Sequence, residues 1–98
     1  MIRGTTPTHI FTLPFAAGQI TKLSIAYAQG ENVVLEKTLG DCILNENTVS
    51  VQLTETDTLK FSDRKQVEIQ LRVGIGEARL ASKVIYVNVD RLLKDGGL

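Results

Sequence analysis

QVEIQLRVGI, Gln66–Ile75, decides the fold class of this chain. Val67, Ile69, Leu71, Val73 and Ile75 alternate with Glu68, Gln70, Arg72 and Gly74, a period of two that sends the two sets of side chains to opposite faces of a strand. So long an unbroken alternation predicts a central strand with neighbours on both edges. Downstream, GIGEAR (Gly74–Arg79) supplies turn glycines and Leu80–Val89 returns as an antiparallel partner. Along SKVIYVNV (Ser82–Val89) the alternation breaks, because Val84 and Tyr86 fall out of phase with Ile85, Val87 and Val89. Either a bulge shifts the register or both faces are covered, and partial double coverage is the preferred reading.

Working upstream, Thr8–Leu13 (THIFTL) puts His9, Phe11 and Leu13 on one phase and is stopped by Pro14, which has no N–H for a ladder. Ile20–Gln29 alternates Leu23, Ile25 and Tyr27 with polar or small residues. QGEN (Gln29–Asn32) reads as a hairpin turn into Val33–Lys37, and LGD (Leu39–Asp41) punctuates before a short strand, Cys42–Leu44. NEN (Asn45–Asn47) turns the chain again into Thr48–Leu53. These segments make about seven short strands with turns between them and no long helix. The pattern predicts an all-β, roughly seven-stranded antiparallel sandwich of immunoglobulin-like architecture. With a single cysteine and no tryptophan, the likeness to immunoglobulin domains is one of architecture alone.

The chain has 98 residues, enough for one domain over residues 1–98, with residues 1–7 expected to be a flexible lead-in and residues 90–98 a tail. Eleven Lys or Arg balance eleven Asp or Glu, so no overall field draws the protein to nucleic acid or to anionic lipid. Phe11, Phe15, Tyr27, Phe61 and Tyr86 are too scattered for a base-stacking platform and read as core. Cys42 alone excludes an internal disulfide scaffold. No apolar run approaches the ~18 residues of a membrane-spanning helix, and no apolar leader follows Arg3. The expectation is a protein made in the cytoplasm, starting at Met1.

LTETDTLKF (Leu53–Phe61) interrupts the strands and carries Glu55 and Asp57, with Asp63 close behind. Three carboxylates at this spacing raise the question of calcium, but the loop lacks the third ligand position and turning glycine of a calcium loop. Thr54-Glu55-Thr56-Asp57 instead has the form of a helix capping box, in which the Thr54 hydroxyl accepts from the Asp57 N–H. His9 and Cys42 are single residues on separate strands and do not amount to a catalytic dyad or to zinc ligand pairs. Gly74-Ile75-Gly76 lacks the rest of a phosphate loop and reads as a turn. No cofactor and no enzymatic function are expected. In the tail DRLLKDGGL, which reads as one helical turn ended by Gly96, two adjacent leucines cannot both face inward. Arg91, Leu92 and Leu93 either cap the sandwich end or contact a partner.

The phrases MIRGTTPTHIFTLPF (1–15), ITKLSIAYAQ (20–29), LEKT (35–38) and LTETDTLKF (53–61), leading into VEIQLRV (67–73), resemble small proteins encoded in the structural-gene regions of phages and prophages of Gram-positive gut bacteria. The resemblance covers most of Arg3 to Val73 and departs from the group's pattern at Ala16-Ala17-Gly18, where an acidic or hydroxyl residue would be usual. It implies a non-enzymatic structural or assembly role at a phage tail or baseplate, with other phage structural proteins or further copies as partners and the virion as destination. The rival reading is a carbohydrate- or peptide-binding β-module acting through loops at one end of the sandwich.

Overall fold

The computed structural model describes residues 1–98. Its strands are β1 (Thr8–Thr12), β2 (Lys22–Gln29), β3 (Asn32–Thr38), β4 (Cys42–Asn45), β5 (Thr48–Gln52), β6 (Val67–Ile75), β7 (Ala78–Ala81) and β8 (Ile85–Val87), with one short helix, α1 (Glu55–Leu59), between β5 and β6. They form two antiparallel sheets: β1-β5-β4, and β3-β2-β6 with β7 and β8 sharing the far edge of β6. All-β class and the sandwich of two antiparallel sheets are as expected. The strand count is eight rather than seven, because the return strand is cut in two.

The cut has a local cause. At Ser82 the backbone N–H donates to the Leu71 carbonyl at 2.8 Å, but the Leu71 N–H is taken by the Ser82 hydroxyl at 3.0 Å. A side chain thus replaces a main-chain acceptor, the ladder lapses over Ser82–Val84, and pairing resumes at Ile85. Interruption, not double coverage, explains the lost alternation, since Tyr86 is 62% exposed. Tyr86 is also a correction to the reading of all five aromatics as core, and Phe15 is only half-buried.

Each main hairpin closes through two residues whose first member has positive φ: Gly30 (63°), Glu46 (51°) and Gly76 (56°). Such loops match the twist of paired strands. Across the small sheet His9, Val51 and Cys42 lie in one row and Phe11, Val49 and Leu44 in the next. Both rows face Ile25, Tyr27, Ile69 and Leu71 of the large sheet around a single core. Tyr27 and Phe61 are its largest fully buried members, ring centroids 6.0 Å apart.

The N-terminal residues, expected to be flexible, run beside the chain after β8. The Met1 ammonium donates to the Asn88 carbonyl at 2.9 Å, and Asp90 exchanges hydrogen bonds with Met1 and Arg3. Arg3 also donates to the Phe61 and Leu59 carbonyls at 2.7 and 2.9 Å and pairs with Asp95. The tail forms bends and no helical turn, with Asp95 paired to Arg3 and the Leu98 N–H bonded to the Glu55 carboxylate. No helix is long and apolar enough to cross a membrane.

Candidate functional site

In α1 the capping box is present in full. The Thr54 hydroxyl accepts from the Asp57 N–H at 3.0 Å, and the Asp57 carboxylate accepts from the Thr54 N–H at 2.9 Å. The same carboxylate forms an ion pair with Lys37 at 2.8 Å, with side-chain exposures of 10% and 15%. Glu55 instead faces the tail and accepts from the Leu98 N–H, while Asp63 stands in an exposed loop. The carboxylates of this segment therefore do not converge, and no three His, Cys, Asp or Glu side chains form a group that would hold a metal.

Lys37 was legible only as the end of a strand. Its phase with Leu35 in VVLEKT marks it as an inward lysine, a signal that calls for a buried carboxylate in reply. Desolvation alone would raise the Asp57 pKa, but hydrogen bonds from Lys37 and Thr54 outweigh it and hold the carboxyl below its ordinary value.

His9 is half-buried, and its Nδ1 lies 2.8 Å from the Tyr27 hydroxyl. Burial, then the Met1 ammonium, lowers the imidazole pKa, while burial, followed by Cys42 and Asp57, raises that of the phenol. Both groups are thus neutral near pH 7. The Tyr27 hydroxyl and the His9 Nδ1 are hydrogen-bond partners in the core, and the imidazole tautomer sets which of them donates. Cys42 lies two strands from His9 with Val51 between them, and its thiol donates to the Thr38 carbonyl at 3.4 Å. Burial and the Asp41 carboxylate raise the thiol pKa against an opposing effect of Lys37. A thiol held protonated and an imidazole already committed to a phenol do not form a nucleophile–base pair.

Of the tail residues, Leu92 is half-buried and covers Gly4, where an added Cβ would come within 2.7 Å of the Leu92 Cδ1. Arg91 is exposed, and Leu93 is 93% exposed. The two leucines thus divide the alternatives, one capping the fold and the other facing outward.

The remaining surfaces were not singled out by the sequence. On the outer face of the small sheet Ile10, Ser50 and Ile43 form one row, with Ile10 64% and Ile43 73% exposed. Where β7 ends the large sheet, an apolar groove of about 350 Å³ lies among Leu13, Pro14, Phe15, Leu71, Val73 and Leu80. On the opposite face of that sheet Lys22, Arg72 and Arg79 surround Gly74 in a depression of about 200 Å³. Their signals are the isoleucines out of phase with their strands' buried sets, and the basic residues of the outward phase.

Comparison with known proteins places no name on these surfaces: no family model, curated protein or solved structure matches the chain.

Proposed function

We propose that this is a non-enzymatic structural or assembly protein of a phage or prophage, tail- or baseplate-associated, that acts through protein–protein contacts with itself or with other phage structural proteins. The phage assignment rests on the sequence resemblance, and the virion is then its destination. The contact role rests on one observation. Ile10 and Ile43 are 64% and 73% exposed on strands whose alternate residues pack into or against the core, and Leu93 is 93% exposed in the tail, whereas His9 and Tyr27, and Lys37 and Asp57, are engaged with one another. Apolar rows left on strand faces suit burial against a neighbour in an assembly. The immunoglobulin-like architecture belongs to this proposal too: the chain passes between the two sheets after β1, β3 and β5, as crossing connections do in such sandwiches.

A peptide-binding module is the second reading, favoured by the apolar groove beside β7. Carbohydrate binding has less support, since Tyr86 is the one aromatic exposed on the surface and offers a single stacking face.

Size-exclusion chromatography with light scattering tests the contact role. The expected mass exceeds the 10.7 kDa monomer as concentration rises, or on mixing with structural proteins from the same gene region, and falls back in Leu93→Ser or Ile43→Thr. A constant monomer mass in both settings refutes it.

A further inference from the structure

We propose that the free edge of β7 receives an extended strand from a partner protein, one whose side chains alternate between apolar and acidic. This rests on the contact role above and assigns it a place and a partner chemistry.

The backbone comes first. The Ser82 N–H bond to Leu71 fixes the alternation of the antiparallel ladder. Leu80 and Ala78 therefore direct their N–H and C=O groups toward β6, and Arg79 and Ala81 direct theirs outward. No strand pairs with β7 on that outer side. Two residues thus offer an incoming strand a full set of donors and acceptors, the basis of recognition by strand addition.

The faces of β7 then say which strand. Leu80 stands opposite Val73 on the inward face and is 46% exposed, while Val73 is only 5% exposed. The small sheet ends at β1 and leaves Leu80 uncovered beside the groove lined by Leu13, Phe15 and Leu71. An added strand sets its own inward residue against Leu80 in the non-hydrogen-bonded position, where side chains come closest. An apolar residue there fills the groove.

The outward phase calls for the opposite chemistry. Gly74 is flanked in register by Lys22 and Arg79, with Arg72 one pair along on the same face. The ion pairs of this protein are Arg3–Asp95 and Lys37–Asp57, so none of these three cations forms one. Arg79 makes its hydrogen bonds to the carbonyls of Gly76 and Ala78, both at 2.9 Å, and forms no ion pair. Pairing of β7 with β7 of a second copy centred on Arg79 would bring Arg79 against Arg79, where like charges repel, and pairing centred on Leu80 would set Arg79 against Ala81 and leave its charge unanswered. A carboxylate on the incoming strand is attracted at the same place, so the edge favours an acidic partner over its own copy.

Fluorescence anisotropy of the full chain with labelled decapeptides tests this. The probes are an alternating Glu/Val peptide, its Lys/Val counterpart, and a peptide of the same Glu/Val composition in two blocks. The expected result is at least tenfold tighter binding of alternating Glu/Val than of either control. Ala81→Pro, which removes an outward N–H and leaves the β6 ladder intact, weakens it at least tenfold. Arg79→Glu reverses the preference toward Lys/Val, which a merely unfolded variant would not do. Equal binding of all three peptides, or undiminished binding by Ala81→Pro, overturns the proposal. A chain that associates in light scattering yet ignores these peptides overturns the β7 assignment and leaves the contact role standing. Selective peptide binding by a chain that stays monomeric and unpartnered does the reverse.

Discussion

Lys37 and Asp57 bring a cation and an anion from two distant parts of the chain into nearly complete burial. Each would be costly inside alone. Their pairing fastens α1 to the edge strand β3, while Thr54 uses the same carboxylate to start the helix. Because the folded-state pKa of Asp57 is lowered, the folded protein binds a proton there less readily than the unfolded chain. The resulting stabilisation is complete above the ordinary aspartate value of about 3.9 and is lost as pH falls through the lower folded-state value. Lys37→Met is expected to cost ~3 kcal/mol near neutral pH by stranding a buried carboxylate. Urea unfolding checks both effects: Asp57→Asn should flatten the loss of stability below about pH 4, and an unchanged acid slope would contradict this pairing.

At the scale of elements, the hairpins show where local chemistry and the fold disagree. Gly30 and Gly76 take positive φ without a side-chain penalty, but Glu46 adopts 51° in the equivalent place. An L-residue pays roughly 1 kcal/mol or more for that conformation. Glu46→Gly is therefore expected to raise stability by about 0.5–1 kcal/mol, read as a rise of several degrees in Tm, with the Ala17 N–H still bonded to the residue 46 carbonyl. A fall in Tm would mean that the turn differs from the one described.

Much of this level was legible in the sequence because it is local: the alternation of Val67–Ile75, the turns at QGEN, NEN and GIGEAR, and the Thr54–Asp57 cap all lie within a few residues of their causes. The break at Ser82 was not, since it depends on a hydroxyl meeting the Leu71 N–H across a ladder. The Lys37–Asp57 and His9–Tyr27 contacts likewise join segments whose pairing no local pattern encodes. Residues 1–7 gave no strand signal, because they are positioned by Asn88, Asp90 and the carbonyls near α1. The groove beside β7 was hidden for a related reason: its lining comes from three segments.

For the whole molecule the decisive feature is the unequal width of its two layers. Three strands face a sheet built from five, so the inward face near β7 outruns its cover and leaves Leu80 and the groove open. Net charge is zero, yet Lys22, Arg72 and Arg79 gather on the opposite face at that same end, so local rather than summed charge governs which partner fits. The free β7 edge joins the fold to its proposed use, and residue-resolved amide hydrogen exchange on the dilute, full-length protein tests it most directly. The expected pattern alternates along β7, with Ala78 and Leu80 protected by β6 and Arg79 and Ala81 exchanging as open amides. Protection of Arg79 and Ala81 equal to that of Leu80 in the monomer would contradict an open edge.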